Sequence, residues 1–169
     1  MPKGLKETSS IIAISASVEE SAPATFTEKQ IDLQLNPLDN EVFVVYGIDL
    51  DLEAPELVAN SNSLVKASVS TTSRTSVGTL GATNVLAAAR IQTQDNAGTS
   101  AVTNQYSSDS APATDLEYLG IIATNDFYLQ VEANAVNTSE KFLACRLYGV
   151  RAKADAAIYA ALVQSEVLS

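Results

Sequence analysis

Residues 41–53, EVFVVYGIDLDLE, constrain the fold more than any other stretch of this chain. Val42, Val44, Tyr46, Ile48, Leu50 and Leu52 are apolar at every second position. A period of two marks a β-strand, because successive side chains point to opposite faces. The even positions therefore predict one face held in a core along the whole strand. The odd positions change halfway: Phe43 and Val45 are apolar, Gly47 interrupts, and Asp49, Asp51 and Glu53 are acidic. That second face is predicted to be buried up to Gly47. Beyond it, the face is wet or meets a partner.

Similar patterns recur on both sides. Residues 27–35 alternate, with Ile31, Leu33 and Leu35 on one face, and predict a half-buried antiparallel strand. The turn at 36–40 joins it to residues 41–53 as an expected hairpin. Residues 64–72 predict a strand with Val65, Ala67 and Val69 inward; 73–83 are rich in Gly, Ser and Thr and predict a loop. Residues 84–94 fit either an Ala-rich helical turn or a strand. Residues 95–114 are the most polar stretch and are read as a long surface loop, a common place for contacts. Residues 116–123 and 126–133 predict two strands around a tight turn at Thr124-Asn125. Residues 142–153 are apolar on both faces, which suggests a central strand. Asp155 then caps an amphipathic helix, with Ile158 and Leu162 at helical spacing.

Seven to nine strands with turns between them and one short C-terminal helix predict an all-β fold, an antiparallel β-sandwich. Long connections favour Greek-key or jelly-roll topology over a meander. Residues 25–169 form the sandwich domain, with the helix at 155–167. Residues 1–24 are read as an N-terminal arm whose Ile11, Ile12 and Ile14 need covering. The arm is either a first edge strand or a segment that docks on a neighbouring subunit.

Composition removes most catalytic classes. With no histidine there is no Ser-His-Asp or Cys-His system and no His-based zinc site. Cys145 is the only cysteine, so no intrachain disulfide or thiolate cluster forms. It is read as a small buried hydrophobe. No phosphate-loop pattern occurs. No cofactor and no metal are expected; Asp49, Asp51 and Glu53, at i, i+2 and i+4, are the residues that would offer Ca²⁺ oxygen ligands. The plainer reading of that row is a solvated face, or one that meets Arg146 or Arg151 across an interface. Twenty acidic against ten basic residues, a net charge of −10, oppose direct binding to nucleic acid and to membrane surfaces. No apolar run reaches the roughly 20 residues of a membrane span, and no secretory leader is recognised, so synthesis in a cytoplasm is expected. Asn137-Thr138-Ser139 fits the N-glycosylation pattern and is read as chance.

The C-terminal run DFYLQVEANAVNTSEKFLACRLYGVRAKADAAIYAALVQSEVLS adds a resemblance. Its RLYGVRAKAD strand running into an Ala-rich tail resembles the end of small structural proteins of environmental viruses. The long strands and Ser/Thr-rich loops resemble single jelly-roll coat proteins. The resemblance implies a jelly-roll sandwich and a non-enzymatic, self-assembling capsid subunit. Such a protein is made in the host cytoplasm and resides in the virion, where its partners are other copies of itself and other virion proteins. Candidate subunit contacts are Ile11, Ile12 and Ile14, the row Asp49, Asp51 and Glu53, and Ile158, Tyr159 and Leu162 of the helix. The Arg-rich arm of many coat proteins has no counterpart here, which sets direct genome binding aside. Two alternatives stand beside this reading. One is a fibre, pilus or tail subunit whose N-terminal segment adds as a strand to its neighbour. The other is a carbohydrate- or Ca-binding module using the acidic row and residues 95–114.

Overall fold

The computed structural model describes residues 1–168. Its strands are β1 (Leu5–Glu7), β2 (Ile12–Glu19), β3 (Thr27–Asp32), β4 (Glu41–Leu52), β5 (Asn62–Ser70), β6 (Val85–Asn96), β7 (Ser100–Ser107), β8 (Gly120–Ile122), β9 (Asp126–Ala133) and β10 (Phe142–Ala154). One helix, α1 (Ala156–Val167), follows. The first sheet runs β1-β10-β4-β8, with β2 beside β1 on the same edge of β10; the second runs β3-β9-β5-β6-β7. All pairings are antiparallel. The pairs nest: β2 with β10, β3 with β9, β4 with β8, β5 with β6. This is a long hairpin folded in half and rolled so that its halves lie in opposing sheets, the jelly roll, with β7 added outside β6.

The nesting corrects two local expectations. Residues 27–35 and 41–53 do not form a hairpin, because β3 and β4 lie in different sheets. Nor do β8 and β9 pair around Thr124-Asn125; that dipeptide is a corner between sheets. There Asn125 accepts hydrogen bonds from Leu35 N–H through its side chain (2.6 Å) and from Leu33 N–H through its carbonyl (2.8 Å). Alternation reveals which face of a strand is buried, but not which strand lies beside it. The polar stretch 95–114 is also not one long loop. β6 continues to Asn96, Ala97 and Gly98 turn with positive φ, and β7 pairs back along β6. Of residues 1–24, read as an arm that is either a first edge strand or a docking segment, β1 and β2 are edge strands of the first sheet on β10.

β4 departs from its expected single inward face. Gly149 of β10 pairs with Val45, but Tyr148 pairs with Gly47, so Tyr46 is an extra residue in β4. This β-bulge exchanges the faces of the strand. Phe43 and Val45 enter the core between the sheets, and after the bulge Ile48, Leu50 and Leu52 do so instead. Val42, Val44 and Tyr46 face outward into a second apolar cluster with Val150, Ala152 and Ala154. The even positions therefore do not share one face. The pattern hid this because residues 42–46 are apolar on both sides.

The helix covers that second cluster. Asp155 caps it by accepting from Ile158 N–H (2.9 Å), and Ile158, Tyr159, Leu162 and Val163 pack on the sheet. Near its end the buried Glu166 accepts from Ala123 N–H (2.7 Å) and Thr124 N–H (2.9 Å), tying the helix to the corner after β8. The opposite end of the sandwich is closed by another polar group. Buried Glu20 accepts from the N–H groups of Ala133 (2.8 Å), Lys141 (3.0 Å) and Thr25 (3.1 Å). Buried Lys141 sits 3.9 Å from both Glu53 and Glu56. Glu56 takes hydrogen bonds from the hydroxyls and N–H groups of Ser139 and Thr138, which hold its carboxyl down at about 2. Asn137 is buried in the same group, accepting from Glu56 N–H and Ser63 Oγ at 3.0 Å, so the glycosylation pattern is inaccessible.

Two outcomes follow from this packing. A Cβ on Gly149 would lie 2.4 Å from the Phe43 ring and 2.2 Å from the Val44 carbonyl. Gly149→Ala should therefore cost about 1–3 kcal/mol or more, read by denaturant unfolding, because backbone blocks the relief of the overlap. The Glu56 carboxyl, depressed from 4.5 to about 2, stabilises the fold fully above pH 4.5, and that contribution is lost as pH falls toward 2. Glu56→Gln should be less stable at neutral pH and show a shallower loss across that window; unchanged acid limbs in both proteins would refute the role of the carboxylate.

Candidate functional site

The helix covers only one half of the first sheet's outer face, over Val42, Val44, Val150 and Ala152. The other half is bare, and the acidic row lies there. Register places Asp49 opposite Arg146 on β10, and Arg146 opposite Ser15 on β2. One row along, Asp51 lies opposite Ala144, and Ala144 opposite Ser17. These side chains line a shallow, open concavity of about 440 Å³. The bulge produces this arrangement: by exchanging faces at Tyr46 it turns Ile48, Leu50 and Leu52 inward and leaves Asp49 and Asp51 outside.

Arg146 Nε donates to Ser15 Oγ at 3.3 Å, and among the described residues neither Asp49 nor Asp51 forms an ion pair. The second basic residue, Arg151, is elsewhere, binding Glu41 at 3.2 Å and the Leu33 carbonyl at 2.7 Å. Glu53 leaves the row: its carboxylate accepts from Phe142 N–H at 3.1 Å and faces Lys141. The three acids therefore do not converge, and among the described residues no group of three His, Cys, Asp or Glu side chains could hold a metal ion.

Chemically, the patch offers two carboxylates, a guanidinium and two hydroxyls on a nearly flat surface. It suits hydrogen-bonded contact with a polar surface. Ser15 has a guanidinium as its partner, not a base that could activate it. Cys145 borders the concavity but is buried, and burial pushes its thiol up to about 11, so it stays protonated at neutral pH. No aromatic side chain lines the concavity to serve as a sugar platform.

The other nominated contacts are divided between surface and interior. Ile11 is 68% exposed, whereas Ile14 packs on the inter-sheet core and Ile12 is half-buried. Ile158, Tyr159 and Leu162 pack on their own sheet, and the helix presents Ala156, Ala157, Ala160 and Ala161 outward.

β7, whose eight residues are all exposed, lies in the stretch 95–114 expected as a loop. Tyr106 of β7 stacks on Arg90 of β6, 4.9 Å from ring centroid to guanidinium carbon. The stack borders a second groove of about 380 Å³, whose far side is Val77, Gly78 and Leu80 of the loop after β5. A signal was present: Val102 and Tyr106 stand four apart, on one face of a strand, after an Asn-Ala-Gly turn.

Replacing Asp49 and Asp51 together by Asn should change stability by no more than about 0.5 kcal/mol, as for exposed residues away from special structure. Glu53→Gln should cost on the order of 1 kcal/mol, because it weakens a charged hydrogen bond and the pairing of buried Lys141. Thermal and denaturant melts of the variants check both; a large loss in the double variant would place that face in the interior. Compared with protein-family models and with curated proteins, the chain matches none.

Proposed function

We propose that this protein is a structural subunit that assembles with copies of itself into a virion shell, and that it has no catalytic role. The jelly-roll strand order carries the reading, in a chain whose final strand and helix are the residues that resemble viral structural proteins. The fold alone hosts many functions. Support therefore also comes from the surface: the acidic concavity is shallow and holds no paired nucleophile and base. Net charge then has a mechanical role. At −10 the free subunits repel one another, so assembly waits for concentration or salt to overcome that repulsion.

The fibre reading requires an N-terminal segment free to enter a neighbour's sheet. It has less support, because β2 already fills that place on β10 of its own chain.

Electron microscopy and sedimentation of purified protein over a range of concentration and salt test the proposal. Closed particles of uniform size are expected, increasing with salt as repulsion is screened. Protein that stays monomeric at high concentration, in high salt and with divalent cations would overturn it.

A further inference from the structure

We infer that β7 is a self-complementary edge through which two copies of this chain pair about a two-fold axis, joining their second sheets into one ten-stranded sheet. The inference deepens the self-assembly reading and rests on it for its biological setting.

The first observation is that this edge is unprotected. Proteins guard exposed edges with charge, proline, bulges or shortness. Edge strand β3 carries Glu28, Lys29 and Asp32, and β8 has only three residues. Edge strand β2 commits one face to the core and ends on Glu19. β7, SAVTNQYS, is eight residues long, has no acidic, basic or proline residue, and is exposed throughout. Its pairing with β6 runs its full length without a register shift.

The second observation identifies the occupant. Ser108 N–H donates to the Ala88 carbonyl at 2.9 Å, in register with the β6–β7 ladder. Bonded pairs alternate in an antiparallel ladder. Ser100, Val102, Asn104 and Tyr106 therefore bond toward β6, while Ala101, Thr103, Gln105 and Ser107 offer backbone groups at the open edge. A second β7 can satisfy those groups by pairing Ala101 with Ser107 and Thr103 with Gln105 of the other copy. That register puts the two-fold axis at Asn104. It sets Val102, 52% exposed, opposite Tyr106, 39% exposed, of the other copy, and does so twice by symmetry. These are non-hydrogen-bonded pairs, in which side chains approach closely. On the axis the two Asn104 amides face each other, each able to donate and accept. In a chain of net charge −10, this pairing brings no two acidic side chains opposite each other.

Cysteine crosslinking tests the register. In this pairing Asn104→Cys places two sulfurs across a close pair, within disulfide reach, while Thr103→Cys faces Gln105. Native Cys145 is buried, so the unmodified chain serves as the background. With oxidised glutathione, N104C should form at least tenfold more covalent dimer than T103C. Adding Thr103→Pro to N104C removes an outward N–H and the Thr103 hydroxyl contact with Thr93, and leaves the backbone bonds to β6 in place. It should abolish the crosslink while a cooperative thermal melt is retained. No dimer, or equal yields from the two cysteine variants, would overturn the pairing. Shells seen by microscopy without the N104C crosslink would defeat the pairing alone; crosslinked dimers without shells would defeat the shell reading alone.

Discussion

The central pair β4–β10 must bury its inner face throughout and its outer face at the helix end, and the rest of the structure follows from that requirement. One face packs on the second sheet through Phe43, Val45, Leu143 and Leu147. The other packs under α1 through Val42, Val44, Val150 and Ala152. A single strand pair cannot serve two cores along its full length, because the helix reaches only one end. The bulge at Tyr46 reconciles this by turning the apolar residues beyond it inward and the acids outward. Gly149, directly beside the bulge, leaves the space that the Phe43 ring occupies. The same displacement makes the bare acidic patch, so the site is a by-product of how the core is packed.

Charged residues close the two ends of the sandwich. Buried charge is costly unless it is paired and hydrogen-bonded. Here each buried charge binds segments distant in sequence: Glu20 joins the corner after β2 to β9 and Lys141, and Glu166 joins α1 to the corner after β8. Among the described residues no buried side-chain nitrogen or oxygen lacks a partner. These contacts lie at the corners where the chain crosses between sheets, so they select the rolled arrangement over simple hairpins. The surface that remains is largely neutral at β7 and acidic at Asp49 and Asp51.

Much of this was legible in the chain. Alternation identified the inward residues Val65, Ala67 and Val69 and Phe127, Leu129 and Val131, because a half-buried strand imprints its two faces directly. Asp155 as the helix cap was equally local. β7 left only a faint mark, Val102 and Tyr106 four apart after the turn, since a strand exposed on both faces needs few apolar side chains. The acidic row was visible, but its breakup was not: Glu53 is drawn away by Lys141, 88 positions later in the chain.

By itself, then, the sequence determined the all-β class, the inward faces of most strands, the capped helix and the absence of histidine-based chemistry. Each of these depends on residue identity or on spacing within one element. Only the tertiary structure decided which strands are neighbours, where β4 changes faces, what the helix covers and which edge stays open. Those depend on pairing between distant segments and on a one-residue bulge that periodicity cannot register when both faces are apolar.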